Sequence, residues 1–384
     1  MDNISAPNNR KRNIWLFVVG ALFLILGIVW FLYWLFIGQF YVSTEDAYVH
    51  GNQVNLNPQV EAGVRAIWAE ETDLVTRGQL VVELDSTDYL IQFEERKKKL
   101  GDTVREISSI FQQVEAKKAK VSLQEAEKEQ AELDWRHRIP LAQIGAVSQE
   151  EYEIYQTKLK IAEANLLFAQ EDLKATEALV MGTTVTTHPK VEEAVLGVKM
   201  AYLNLIRCRI LSPVTGYIAK RKVNVGDHVR VGDYLLVIVP LEEIWVEANY
   251  KETQLGKVRI GQPVSFTADI YGRGVKYHGK VVGFQSGSGN AFALLPAENA
   301  SGNWIKIIQR VPIRIEPVIQ EIIQHPLLLG LSLGVTTDVH DVSGKMLAAR
   351  ATMQPLYTTP IYQENYEEME TITSVIQEII HQNL

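Results

Sequence analysis

Pro58-Gln-Val-Glu-Ala-Gly63 is followed by Asp73-Leu-Val-Thr-Arg-Gly78-Gln-Leu-Val-Val-Glu-Leu84, and Pro213-Val-Thr-Gly216 by Asp227-His-Val-Arg-Val-Gly232-Asp-Tyr-Leu-Leu-Val-Ile238. These two stretches are one motif written twice. In each copy an Asp stands five residues before a turn Gly, and an alternating apolar segment follows. Alternation with period 2 reads as strand, and the Asp reads as a turn residue bonding local backbone. Two β-rich halves with a long insert between them make one small sandwich split in two. The insert must leave that sandwich and return to it.

The insert changes period. From about Tyr89, Leu100, Val104, Ile107, Phe111, Val114 and Val121 follow a heptad step, with Lys118 in the skipped place. Charged residues such as Glu94, Lys97, Lys98 and Lys99 surround them, as on the solvated face of a coiled coil. The spacing predicts an outgoing helix of roughly 50 residues, about 75 Å long, ended by Pro140. Gly145 marks a turn, and Ser148-Gln-Glu-Glu151 has the capping-box form. Tyr155, Leu159, Ala162, Leu166, Ala169, Leu173 and Val180 carry the heptad back, with Thr176 filling one place. Residues 182–187 interrupt it. Pro189, with Glu192 and Glu193 in the first turn, restarts it.

Ile14 to Ile37 is about 24 residues without a charge, long enough to span a bilayer core of about 30 Å. It is longer than a signal-peptide apolar region and reads as an uncleaved transmembrane anchor. Trp15 lies at one end, and Trp30 and Trp34 approach the other, as interfacial aromatics do. Arg10, Lys11 and Arg12 precede the span, and Glu45 and Asp46 follow it. The positive-inside rule then keeps the N-terminus in the cytoplasm and puts the bulk of the chain outside. Ile319 to Leu333 is apolar but broken by Glu321, His325, Pro326 and Gly330, so it is not a second span.

After the second half-motif, Ile244–Tyr250, Val264–Ala268, Lys276–Phe284 and Val311–Ile315 read as strands of a small β-barrel, completed near Ala47 to Val54. Gly283 to Asn290 is glycine-rich without the Gly-Lys-Ser/Thr of a phosphate loop, and reads as a hairpin loop. The tail ends in an amphipathic helix with Ile372, Val375, Ile376, Ile379 and Ile380 on one face, available to dock on the barrel or on a neighbouring subunit. The fold class is therefore α+β, elongated and multi-domain. Its expected segments are 1–13 (cytoplasmic), 14–38 (transmembrane helix), 39–53 (lead-in strand), 54–86 (first half-sandwich), 87–206 (helical hairpin, tip 139–148), 207–240 (second half), 241–341 (barrel) and 342–384 (tail).

The chain has 384 residues and a net charge of -8, which argues against a nucleic-acid footprint. Its one cysteine, Cys208, lies in an apolar stretch and reads as a small buried hydrophobe. Arg207 and Arg209 flank it in an expected strand, facing solvent. The eight histidines have no metal-ligand spacing. Asn299-Ala-Ser301 fits a glycosylation triplet that nothing else supports. No nucleophile elbow or paired-carboxylate signature is present, so no enzyme, cofactor or metal is expected.

The split repeat resembles the biotinyl/lipoyl domain. In carrier enzymes of that kind a modified Lys sits at the hairpin joining the halves, a position opened here into the rod. The apolar helix, the Glu45-Asp46-Ala-Tyr-Val lead-in, the split halves, the insert and the barrel together resemble the membrane fusion (periplasmic adaptor) proteins of the HlyD superfamily, closest to the EmrA type. Arg209-Ile-Leu-Ser-Pro-Val-Thr-Gly-Tyr217, Asn249-Tyr-Lys-Glu-Thr-Gln-Leu255, Ile260-Gly-Gln-Pro-Val264, Tyr277-His-Gly-Lys-Val-Val-Gly283, Ala291-Phe-Ala-Leu-Leu-Pro296 and Asn303-Trp-Ile-Lys306 carry the likeness.

The resemblance implies a single-pass protein of the Gram-negative inner membrane, periplasmic in bulk and assembled as a homo-oligomeric ring. It would link an inner-membrane major-facilitator drug transporter to a TolC-like outer-membrane channel and export hydrophobic toxic compounds. In many adaptors a tip Arg, a Leu seven residues later and a Ser four beyond dock on the channel. Here Ser148 matches, Ile144 is conservative and His137 departs, although Arg136 and Arg138 flank it; Gly145 completes the candidate tip. A type I secretion adaptor serving an ABC transporter is the alternative within the superfamily. A biotin- or lipoyl-dependent enzyme subunit lacks its Lys, and a plain coiled-coil protein leaves the split repeat and the barrel unexplained.

Overall fold

A computed structural model describes residues 9–292, 308–347 and 353–384. The first element, α1 (Asn9–Phe36), is among the described residues the one helix long and apolar enough to cross a membrane. At 28 residues it is about 42 Å long, and Trp15, Trp30 and Trp34 are exposed along it. A single turn at Gly38–Phe40 leads straight into β1 (Tyr41–Gly51). Phe40 stacks on His340 at 4.2 Å, which ties the end of the apolar helix to the last barrel strand.

The first half-motif forms β2 (Val54–Leu56), β3 (Ala62–Ile67), β4 (Leu74–Val75) and β5 (Leu80–Leu84). The insert forms α2 (Thr87–Gln143), α3 (Gln149–Glu177) and α4 (Pro189–Ile206). The second half-motif forms β6 (Arg209–Leu211), β7 (Gly216–Arg221), β8 (His228–Val229) and β9 (Leu236–Val239). The two sheets run β2-β9-β7-β4 and β6-β5-β3-β8, so each contains strands from both halves.

The repeated Asp acts as its turn role requires. Asp73 Oδ2 accepts from the N–H of Glu70 at 2.9 Å, and Asp227 Oδ2 from the N–H of Asn224 at 2.7 Å. Five residues on, Gly78 and Gly232 turn the chain again at φ +80° and +93°, where a glycine carries no steric cost. The Asp73 carbonyl then accepts from Ile218, and the Asp227 carbonyl from Val64. Val75, Val81, Leu84, Leu235, Leu236 and Ile238 fill the shared core, and Cys208 is buried in it. Arg207 does not belong to a solvent-facing strand. It is the C-cap residue of α4, where a cation suits the negative end of the dipole, and only Arg209 lies on β6, exposed.

Pro140 does not end the outgoing helix. It lies inside α2, which runs on to Gln143 with Ile144 at its C-cap. The lost backbone bond falls in the exposed last turn, where few bonds remain to be broken. The buried seam of α2 runs Leu100, Val104, Ile107 and Val114. It then continues through half-buried Lys117, Val121, Gln124 and Lys128, while Lys118 faces solvent and pairs with Glu115. The inward place after Val114 falls one residue earlier than the spacing suggests, because Lys117 reaches across the hairpin to Asp172 and Thr176. Leu159, Ala169 and Thr176 are buried along α3, and Val191, Val198 and Ala201 along α4. Buried His188 joins the two helices: its Nδ1 accepts from the N–H of Lys190 at 3.2 Å and its Nε2 lies 3.1 Å from the Leu179 carbonyl.

The barrel adds β10 (Ile244–Lys251), β11 (Pro263–Ala268), β12 (Tyr277–Phe284), β13 (Arg310–Pro317), α5 (Ile319–Gln324) and β14 (Ser332–Asp338). It closes in the order β1-β10-β13-β12-β11-β14. The completing strand is β1, which begins at Tyr41 and ends at Gly51; Val54 pairs with Ile238 in the sandwich instead. The sequence reading has no counterpart of β14. Its inward residues are Leu333, Val335 and Thr337, and the buried Thr337 hydroxyl lies 2.8 Å from that of Tyr250. Residues 293–307, which hold Asn299-Ala-Ser301 and most of two of the quoted resemblance segments, lie outside the described residues.

The tail forms α6 (Ile361–Thr371) and α7 (Thr373–Asn383). These pack on the base of the chain's own hairpin rather than on the barrel. Ile372 and Ile376 share a core with Phe93, Leu100, Val104, Ile107, Val191 and Val198. The apolar stripe finds its match there because α2 and α4 together offer a continuous apolar groove. A Cβ at Gly101 would meet the Asn383 side chain at 3.1 Å, so the glycine lets the helices approach. Lys199 pairs with Glu370 at 2.9 Å, and Ser108 Oγ donates to the Leu384 carbonyl at 3.2 Å.

Candidate functional site

The candidate tip is the turn between α2 and α3. Ala146 N–H donates to the Leu141 carbonyl at 2.8 Å, and Gly145 turns the chain at φ +72°. Ser148 caps α3, its Oγ accepting from the N–H of Glu151 at 3.1 Å. The Glu151 carboxylate turns toward Arg138, 3.8 Å from its Nε, rather than back to the cap. Ile144 projects with 77% of its surface exposed.

The three residues read as a basic cluster divide. Arg138 is drawn inward: its guanidinium stacks 3.5 Å from the centre of the Tyr155 ring, donates to the Tyr155 hydroxyl at 2.8 Å and to the Asp134 carbonyl at 2.9 Å. It bolts α2 to α3 and offers little to an outside partner. Arg136 is exposed and pairs with Glu132 one turn back, and His137 is exposed. The outward set is therefore Arg136, His137, Ile144, Gly145 and Ser148, with the Ser148 hydroxyl already engaged as a cap.

The spacing did not disclose the Arg138–Tyr155 lock. Tyr155 sits at a seam position, and an aromatic there facing an arginine across the hairpin is the signal that could have found it. A second polar layer also went unread. Lys117 Nζ donates to Asp172 Oδ1 at 2.6 Å and to Thr176 Oγ1 at 2.8 Å, so Lys117, beside the gap in the outgoing heptad, and the Thr in the returning one are two sides of one contact.

A sandwich opened by a helical hairpin, set beside a closed barrel and behind an apolar helix, defines a membrane fusion protein. The EmrA alpha-helical hairpin domain matches residues 87–208. The multidrug export protein EmrA of Haemophilus influenzae is 38% identical over 99% of this chain and 96% of its own length. The multidrug export protein EmrA of Escherichia coli is 39% identical over 85% of this chain and 83% of its own. A solved structure of the periplasmic adaptor protein EmrA aligns at a TM-score of 0.40 and 19% identity, covering 78% of this chain and 99% of that one. This chain belongs to the EmrA family of membrane fusion proteins.

Proposed function

We propose that this chain is the adaptor subunit of a tripartite multidrug efflux system. It links a major-facilitator transporter in the inner membrane to a TolC-like channel in the outer membrane, for export of hydrophobic toxic compounds. The observation that carries the reading is geometric: one chain joins a helix of membrane-spanning length to a hairpin whose outgoing arm, at 57 residues, is about 85 Å long and ends in exposed Ile144. The relatives' printed role in multidrug export supports the same reading.

In this function α1 anchors the subunit, with Trp15, Trp30 and Trp34 at the interfaces and Arg10, Lys11 and Arg12 on the cytoplasmic side. The barrel sits next to the membrane, because β1 follows α1 after a single turn. The hairpin carries the tip outward, where Ile144, Ser148 and the exposed Arg136 and His137 meet the channel. Copies of the subunit close into a ring around the exported compound. The work is positional rather than chemical, and the energy for transport belongs to the pump.

Crosslinking from a cysteine at Ile144, in a Cys208→Ala background, tests this in the native envelope. Capture of an outer-membrane channel together with co-purification of a major-facilitator pump supports it. Recovery of an ABC transporter, or of sister adaptors alone, overturns it.

A further inference from the structure

The two sheets of the sandwich end in short edge strands, β2 and β6, and these face a cavity of about 620 Å³ whose far wall is α6. Cavities of roughly 300–1,000 Å³ are the size that takes a small organic molecule. Apolar groups line it, among them Leu211, Val231 and Tyr362. The charged residues lining it are Arg207 and Arg209, with no acidic residue, in a chain whose net charge is -8.

The two arginines differ. Arg209 is loosely paired with Glu368, at 3.5 Å. Among the described residues Arg207 makes no ion pair, and its Nε is buried without a hydrogen-bond partner. That Nε is sealed from solvent, so a ligand would meet the terminal nitrogens of the guanidinium instead. A guanidinium is suited to bind a carboxylate through two parallel bonds. Asn365 adds a further donor on the α6 wall.

We propose that this cavity is a binding site for a small amphipathic anion. An apolar body lies between the sandwich edge and Tyr362, and a carboxylate or similar head group engages Arg207. The site needs the tail, because α6 supplies one wall. It is separate from the hairpin tip and does not depend on the adaptor reading.

The test uses the full chain in phosphatidylcholine nanodiscs and a twelve-carbon alkyl carboxylate carrying a photoactivatable diazirine, with the matching alcohol as control. After irradiation, mass spectrometry locates the label. The proposal expects saturable labelling at Leu211, Val231 or Tyr362, at least tenfold stronger for the acid than for the alcohol. Arg207→Gln lowers it about tenfold. Val231→Trp, at an exposed position on the rim, abolishes it without shifting thermal unfolding, which covers the case in which Arg207→Gln fails to fold. Competition by phosphatidylglycerol added to the nanodiscs assigns the natural occupant to an anionic lipid, and its absence to a free solute. Equal labelling by acid and alcohol, label that does not saturate at these residues, or labelling unchanged by both variants overturns the proposal.

Discussion

Lys117 Nζ lies 2.6 Å from Asp172 Oδ1 across the hairpin, at the one place where both heptads break. The Thr176 hydroxyl shares the ammonium, and each long side chain of the ion pair is about one-third exposed. A polar layer of this kind stabilises weakly but fixes which turn faces which, since sliding either helix by one residue strands a charge.

Lys117→Ala is expected to destabilise the hairpin by about 1 kcal/mol, a figure kept low because solvent screens the pair. Lys117→Leu with Asp172→Leu should recover the loss. Urea unfolding followed by circular dichroism measures both. A double variant less stable than either single variant would contradict the account.

At the tip, Tyr155→Ala removes the ring beneath Arg138 and the hydroxyl it binds. The two contacts together are worth about 1–2 kcal/mol. Amide hydrogens of residues 139–150 should then exchange about tenfold faster, while those of residues 95–110 do not change. Hydrogen exchange with mass spectrometry reads the two regions separately.

The tail is held by an apolar contact that one charge can break. Ile376 is 3% exposed, and Ile376→Asp sets a carboxylate among Leu100, Ile107 and Val198, at a cost of about 2–4 kcal/mol. Residues 361–383 should become sensitive to protease while the barrel stays resistant. A tail that resists cleavage as before would show that other contacts hold it.

The Cys208 thiol is pushed up to about 11, first by burial and then by the nearby Asp85 carboxylate. The native state therefore holds the proton more tightly than the unfolded chain, whose thiol titrates near 8.5. Stability from this residue is complete below that value and is lost as pH rises from about 8.5 toward 11. At pH 8, a disulfide reagent should modify the native protein at least about a hundredfold more slowly than the protein unfolded in guanidinium.

Thr72 holds a left-handed backbone at φ +77°, and its counterpart in the other half is Gly226 at φ +90°. A β-branched residue is strained there, by about 1–3 kcal/mol. Thr72→Gly should raise stability, by about 1 kcal/mol once the freedom that glycine gives the unfolded chain is subtracted. A lower urea midpoint would show that Thr72 has contacts worth more than its strain.

Where a side-chain pattern meets a single neighbour, it could be read in advance. The repeated Asp and Gly fixed the sandwich turns, and the heptad of Leu100 to Val114 fixed the hairpin. Reading failed where a contact joins distant positions. The buried Thr337 of β14 breaks the apolar alternation because its partner is the Tyr250 hydroxyl, 87 residues away. The apolar face of α7 was plain, but its groove exists only once α2 and α4 lie side by side. At the tip, the Ser148 cap follows from the capping-box pattern and Ile144 was named only by the family resemblance, whereas the inward turn of Arg138 depends on a ring from the other arm.

The strand exchange in the sandwich sets the order in which the chain can become protein. Val64 bonds to Gly226 and Asp227, and Thr72 and Asp73 bond to Ile218. One sheet needs the chain as far as Val229 and the other as far as Val239, so neither can close until the second half has been synthesised. Until then Val75, Val81 and Leu84 have no partner sheet, and a long loop must be closed before they gain one. The helical arms, whose contacts are nearer in sequence, can pair first and bring the two ends of the insert together. The hairpin thus serves as the jig on which the sandwich is assembled, before it serves any partner.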